Sequence, residues 1–86
     1  MSAEEIRAKV VEQIRKATCE AVVTDDNSRL LEDCRLDYMD RVELVLDIEE
    51  ELGVFIEDED VDEMKTVGDL VKVVQEAVAE KEGGAR

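Results

Sequence analysis

Carboxylates are the side chains with the most chemical potential in this sequence, which has 25 Asp and Glu residues and no His. Two carboxylates spaced like Asp37 and Asp40 can act as a general acid and a general base if a cleft holds them. The sequence indicates no cleft, because the acids collect on one convex helix face and no glycine-rich cradle is present. We therefore predict no catalytic residue and no enzymatic activity, and we interpret the acids as a solvated docking face.

A second acidic stretch, Asp58-Glu59-Asp60-Val61-Asp62, has the composition of a calcium-binding loop. An EF-hand loop needs a glycine at its sharp turn and a bidentate glutamate as its last ligand. Here Glu63 stands at the turn position and Asp69 at the last ligand position, so the pattern fails at both. We predict no specific metal site; loose divalent binding between clustered carboxylates would be structural.

Length and composition favour one small helical domain. The chain has 86 residues, no Pro and 2% aromatic residues, so residues 1–86 are expected to form a single domain with a core of Val, Leu and Ile. Because strand-like alternation is scarce, we predict an all-α fold, a small four-helix bundle of three main helices and one short helix. Cys19 and Cys34 lack CxxC spacing, which favours two reduced, partly buried thiols over a zinc site.

The charge balance restricts the choice of partners. The formal net charge is −14, which disfavours binding to nucleic acid or to an anionic membrane surface and favours a basic protein partner. Thirteen acids but only one base, Arg41, lie between Asp37 and Glu63, so most of the charge belongs to one region. The sequence has no membrane-spanning apolar run and no signal-peptide pattern. We expect a cytoplasmic monomer.

The chain is organised around one predicted helix, Asp37 to Leu52, with Asp37 as its N-cap and Asp40 as a negative charge in its first turn. At about 100° per residue, its apolar side chains gather on one face, which comprises Val42, Leu44, Val45, Ile48 and Leu52. Its acids gather on another face, which comprises Asp40, Glu43, Asp47, Glu50 and Glu51. Met39 and Leu46 lie on the border. Arg41 falls within the apolar face, from which its long side chain is expected to reach solvent.

Capping signals and periodicity predict the remaining helices. Ser2 and Glu5 form a capping box before a helix from Ala3 to Thr18. Residues 57–64 predict one or two helical turns, and Thr66 is the N-cap of a last helix that ends in a disordered tail, residues 80–86. The connection over residues 20–36 is long. Its apolar pairs are expected to anchor it in the core; they are Val22, Val23, Leu30 and Leu31.

The stretch from Glu32 to Leu52 resembles the acyl carrier proteins of fatty-acid and polyketide synthesis. The family pattern is E-D-L-G-x-D-S-L-D-x-V-E-L-V-x-x-L-E-E-E-F, and this chain reads EDCRLDYMDRVELVLDIEEEL. Residues 56–60 and 65–70 are also similar to family segments, so the resemblance extends from about Ile6 to Val78. It implies a four-helix bundle that carries phosphopantetheine at the start of its central helix.

The resemblance fails at the attachment residue itself. In the family a serine follows the aspartate and accepts phosphopantetheine from coenzyme A, whereas Tyr38 follows Asp37 here. A phenol is longer and bulkier than a seryl hydroxyl, and a small misplacement of a nucleophile costs large rate factors. Neither Ser2 nor Ser28 lies in a comparable context. We therefore predict that Tyr38 is unmodified and expect no cofactor.

The docking surface that the resemblance implies is retained. In the family, basic patches of enzymes such as ketosynthases or acyl ligases bind the acidic helix, and the matching positions here are Met39, Asp40, Glu43, Leu46, Asp47 and Ile56. Tyr38 would lie at the centre of this surface, either as an interface anchor or as a neutral remnant of a lost site. Cys34 and Arg35 replace the family's usual Leu-Gly beside it.

Three functions are compatible with these residues. The first, which we favour, is a docking or regulatory module for acyl-chain enzymes of fatty-acid or polyketide metabolism that no longer carries an acyl chain. The second is a working carrier, with an unusual attachment or with the serine altered at position 38. The third is an unrelated acidic helical interaction protein.

Overall fold

Four helices make up most of residues 2–18, 27, 29–32 and 34–83, which are the residues described by the computed structural model. They are α1 (Ala3–Thr18), α2 (Tyr38–Leu52), α3 (Asp58–Glu63) and α4 (Val67–Gly83). Within these residues, the only β-type pairing is an isolated bridge between Arg29 and Thr66. The predicted all-α bundle of three main helices and one short helix is therefore confirmed.

The start of α1 is fixed by the predicted capping box. The Ser2 backbone N–H donates to Glu5 Oε1 at 3.0 Å, and the Glu5 backbone N–H donates to Ser2 Oγ at 3.1 Å. Two of the free amides of the first turn are thus satisfied. Further along, Ile6, Val10 and Ile14 recur at four-residue spacing and are buried. Their spacing places them on one face of the helix, which packs against α2 and α4.

The two ends of α2 also follow from local chemistry. Asp37 and Asp40 form a second capping box at its start. At its end Gly53 adopts the left-handed conformation, with φ of 65°, and its N–H donates to the Glu49 carbonyl at 2.8 Å. Glycine has no Cβ to clash in this conformation, so the helix stops here. Between these ends, the predicted core face is confirmed, with Leu44, Val45 and Ile48 buried and Val42 and Leu52 half-buried.

Helices α1 and α2 are joined by a polar contact. The Lys9 ammonium lies 2.9 Å from Glu51 Oε2, and the side chain of Gln13, which is buried, donates to Glu51 Oε1. One carboxylate thereby satisfies a buried amide and pairs with a cation. These two hydrogen bonds, aided by the charge of Lys9, lower the pKa of Glu51 below its usual value.

The short helix α3 and the start of α4 are positioned by backbone-directed side chains. Glu49 Oε2 accepts from the Ile56 N–H at 2.7 Å, which fixes the turn between α2 and α3. Thr66 and Asp69 exchange hydrogen bonds at 3.1 and 3.2 Å and cap α4 as predicted. The apolar stripe of α4 is buried and comprises Val67, Leu70, Val71, Val74, Ala77 and Val78.

The connection before α2 confirms part of the anchoring that its sequence predicts. Leu30 is fully buried, and its N–H donates to the Lys65 carbonyl at 2.9 Å. Leu31 is exposed, so its predicted core position is wrong, because the turn that buries Leu30 directs the next side chain outward. Cys34 is buried, more completely than the partly buried thiol that the sequence predicts. Val22, Val23 and Cys19 lie outside the described residues.

Helix α4 extends further than predicted. It continues to Gly83, so residues 80–83 are helical rather than disordered. The reason is a contact that periodicity does not reveal: the Lys81 ammonium donates to the Leu52 carbonyl at 3.0 Å. This bond attaches the last turns of α4 to the end of α2. Residues 84–86 lie outside the described part of the chain.

Candidate functional site

The candidate attachment position lies at the first residue of α2. Asp37 precedes it as the N-cap, with its carboxylate accepting from the Asp40 N–H at 2.9 Å. Asp40 returns the bond to the Asp37 N–H at 3.2 Å. Tyr38 follows Asp37 and is 47% exposed. Its ring centroid lies 5.9 Å from Arg41 Cζ, within the range of a cation–π contact.

The Tyr38 side chain extends from α2 towards α3. The charge of Asp62 on α3, together with partial desolvation and the charge of Asp58, raises the pKa of Tyr38 above its usual 10.0, and Arg41 opposes the shift. The phenol is therefore neutral at physiological pH, and the carboxylates of α3 act on its hydroxyl.

Arg41 makes a second link between α2 and the end of α3. Its Nη1 donates to the Met64 carbonyl at 3.1 Å, 23 residues away in sequence. Its Nε is buried and has no hydrogen-bond partner. The sequence predicts that this side chain reaches solvent from the apolar face, but the structure directs it to a backbone carbonyl instead. Arg41 thus connects the start of α2 to Met64, the residue that ends α3.

The predicted docking face on α2 has the expected exposure. Met39 is 65% exposed and Leu46 is 54% exposed, and seven residues place them two turns apart on the same side of the helix. The acids Glu43 and Asp47 are exposed beside them. Asp40 is half-buried and takes part in the capping box, so less of its charge is available to a partner. We call this set the α2 face: Met39, Asp40, Glu43, Leu46 and Asp47.

One predicted docking residue does not belong to this surface. Ile56 is 4% exposed and packs in the core, because the hydrogen bond from its N–H to Glu49 turns this segment inward. Its neighbour Phe55 is 74% exposed. The sequence pointed to Ile56 rather than Phe55, although both belong to the apolar run Val54-Phe55-Ile56. The signal for Phe55 was weak, since an apolar run of this length does not show which side chain points outward.

The loop before the site contains an unusual backbone conformation. Arg35 has a φ of 58°, a left-handed value that costs non-glycine residues about 1–2 kcal/mol. Its side chain is exposed, whereas the neighbouring Cys34 and Leu36 are buried. The burial of both neighbours explains why the chain accepts this strain. Arg35 thus adds a cation to a region that otherwise has Arg41 as its only base.

The described residues contain neither a candidate metal site nor a candidate membrane-spanning helix. Among them, no group of three or more His, Cys, Asp or Glu side chains is arranged to bind a metal ion. The helices of the same residues include none with the length and apolar character needed to span a membrane.

Comparison with known proteins places the chain in a family. Residues 4–74 match the family described as "Phosphopantetheine attachment site". Acyl carrier proteins of Rickettsia typhi and Rickettsia prowazekii are each 37% identical to the chain over 75 residues, covering 85% of this chain and 86% of theirs. The crystal structure of an acyl carrier protein from Thermotoga maritima superposes with a TM-score of 0.80 at 27% identity, covering 94% of this chain and 95% of that one.

These findings decide between the classes of function that the sequence leaves open. The similarity spans α1 to α4, so an unrelated acidic helical protein is excluded. Members of this family are carriers that bind phosphopantetheine and interact with enzymes of fatty-acid synthesis; they are not enzymes themselves. This chain belongs to the acyl carrier protein family.

Proposed function

We propose that this acyl carrier protein homologue is a docking or regulatory module for enzymes of fatty-acid or polyketide metabolism and carries no acyl chain itself. The observation that carries the proposal is the acidic environment of Tyr38, which stands where the family pattern has its serine and is acted on by the charges of Asp62 and Asp58. The proposed setting is the cytoplasm, and the proposed partner surface is basic.

The residues around Tyr38 do not suit phosphopantetheine. Attachment would place a negatively charged phosphodiester at the phenolic oxygen, beside the carboxylates of Asp62 and Asp58 that already raise the pKa of this group. Like charges at such distances repel each other. This repulsion supports an unmodified Tyr38.

The α2 face supports the docking part of the proposal. Its two exposed apolar side chains, Met39 and Leu46, are accompanied by carboxylates. An apolar centre with a charged rim is the usual anatomy of a protein interface. The charges would guide a basic enzyme surface to the helix. Tyr38 would border this interface.

Intact mass measurement tests the carrier part. The purified protein is incubated with coenzyme A and a broad-specificity phosphopantetheinyl transferase, alongside the variants Tyr38→Ser and Tyr38→Ala. We expect a mass gain of one phosphopantetheine for Tyr38→Ser only, because only that variant presents a primary hydroxyl at the start of α2. A gain that maps to Tyr38 would overturn the proposal and establish a working carrier with a phenolic attachment.

Binding to a ketosynthase tests the docking part. We expect Asp47→Lys to weaken binding about tenfold, which corresponds to about 1.4 kcal/mol. Glu12→Lys makes the same charge change on α1, outside the α2 face, and is the matched control. Equal losses for both variants would indicate that only total charge matters, and no binding of the unmodified protein would remove the docking role.

A further inference from the structure

The most exposed large apolar side chain among those that the structure describes does not lie on the α2 face. Phe55 is 74% exposed, compared with 65% for Met39 and 54% for Leu46. It is also the only phenylalanine in the chain. An exposed aromatic ring that does not contribute to the core is a common feature of binding surfaces.

Phe55 lies at one end of a shallow groove beside α4. Together with Val73 and Ala77 it lines a space of about 100 Å³. A second depression of about 220 Å³ shares Asp60, Val73 and Glu76 with the first and extends it along α4. We call this surface the α4 groove. It contains the apolar side chains of Phe55, Val73 and Ala77 within a mostly polar lining, and it includes no residue of the α2 face.

Carboxylates border the first part of the α4 groove. They are Glu57, Asp60, Glu76 and Glu80. Among the described residues, none of the four forms an ion pair with a basic side chain. Glu57 is the N-cap residue of α3, but its carboxylate makes no side-chain capping hydrogen bond. In the extension of the groove, Lys72 is the one base among its lining residues.

We propose that the α4 groove is a second docking site, and that its occupant is a basic segment of a protein partner with an apolar side chain that packs on Phe55. Four carboxylates without ion pairs beside the exposed ring of Phe55 match such a segment in both charge and hydrophobicity. A second copy of this chain fits poorly, since each copy has a net charge of −14. The occupant contacts α3 and α4, so the α2 face stays accessible while the groove is filled.

The test uses the full chain and a synthetic amphipathic helical peptide of Leu and Lys as the probe. Backbone amide shifts are recorded during titration, and the dissociation constant is measured for the variants Phe55→Ser and Glu76→Lys. The matched control variants are Leu31→Ser and Glu12→Lys, which lie outside both the α4 groove and the α2 face. Because all four residues are exposed, each variant is expected to fold, and its thermal unfolding is compared with that of the parent.

We expect shifts centred on Phe55, Val73 and Glu76, and a loss of affinity of about tenfold for each groove variant, as for an interface hot spot. The two control variants should change the affinity by less than about twofold. Shifts confined to the α2 face, equal losses for all four variants, or no binding would each overturn the proposal.

Sedimentation of the chain alone distinguishes a basic partner from a second copy of this chain. We expect no self-association. A dimer that Phe55→Ser dissociates would show that the occupant is a second copy and would overturn the proposal. The mass measurement at Tyr38 bears on a different residue and helix. The proposed function and the α4 groove can therefore fail independently.

Discussion

The two ends of α2 differ in the regularity of their backbone conformation and in how completely their polar groups are hydrogen-bonded. At the C-terminal end, Gly53 supplies the left-handed residue, Lys81 donates to the Leu52 carbonyl, and Glu51 satisfies Gln13. At the N-terminal end the capping box is complete. The residues around that box are less regular, since they include strained backbone, a buried donor without a partner and a half-exposed aromatic ring.

Arg35 and Gly53 make this difference concrete. They have similar φ values, 58° and 65°, but only one of them is glycine. Natural sequences tend to break such rules at functional sites, where the cost is offset by the rest of the fold. The irregular end is the one that matches the family's attachment region. We infer that the C-terminal end of α2 mainly stabilises the bundle, whereas the N-terminal end has been shaped by function.

The largest effect is expected at the regular end, from Gly53→Ala. A Cβ at this left-handed position is strained and would lie 3.0 Å from the Lys81 ammonium nitrogen, which must move. We expect the free energy of unfolding to fall by about 1–2 kcal/mol, measured by urea denaturation. Gly83→Ala is the control, because a Cβ there meets no atom within 4 Å. An equal loss in the control would show that the left-handed cap is not the cause.

The opposite substitution at the irregular end should stabilise the protein. Arg35→Gly relieves the left-handed strain but gives the unfolded chain more freedom, so the net gain is about 0.5–1 kcal/mol. Arg35→Ala removes the charge and keeps the strain, and it should leave the stability nearly unchanged. If Arg35→Ala stabilises as much as Arg35→Gly, then the side chain rather than the backbone is responsible, and the contrast between the two ends is weakened.

Interactions between residues that are close in sequence account for what the sequence could predict. The capping pairs Ser2 with Glu5, Asp37 with Asp40, and Thr66 with Asp69 each span three residues. Periodicity adds the core faces, so the helices and the all-α bundle follow from nearby residues alone. The family resemblance then indicates the position of the site.

Contacts between distant residues were not predictable in this way. The bond from Arg41 to Met64 spans 23 residues, and the effect of the Asp62 charge on Tyr38 acts between two helices. Both depend on how α3 packs against α2, which no local pattern specifies. The exposure of Phe55 instead of the predicted Ile56 has the same origin, because a hydrogen bond to Glu49 decides which side chain points inward. The assignment of the α2 face itself stays a prediction.

The smallest effect is a shift in the titration of Tyr38, which probes the irregular end directly. The chain has one Tyr and no Trp, so the ultraviolet absorbance of the phenolate reports on this residue alone. The carboxylate of Asp62 raises the pKa of Tyr38 in the folded protein. We therefore expect a midpoint above 10.0 in the parent and a lower midpoint in Asp62→Asn. Circular dichroism over the same pH range verifies that the protein is folded.

The sign of the linked stability follows from the direction of this shift. The pKa of Tyr38 is higher in the folded than in the unfolded chain, so its contribution to stability is complete below pH 10. The contribution is lost as the pH rises through the folded-state pKa. Asp47→Asn, which removes one charge from the α2 face instead, is the matched control and should leave the midpoint nearly unchanged. Equal shifts in both variants would mean that Tyr38 senses the total charge of the protein, and the specific link between α2 and α3 would then no longer account for the raised pKa.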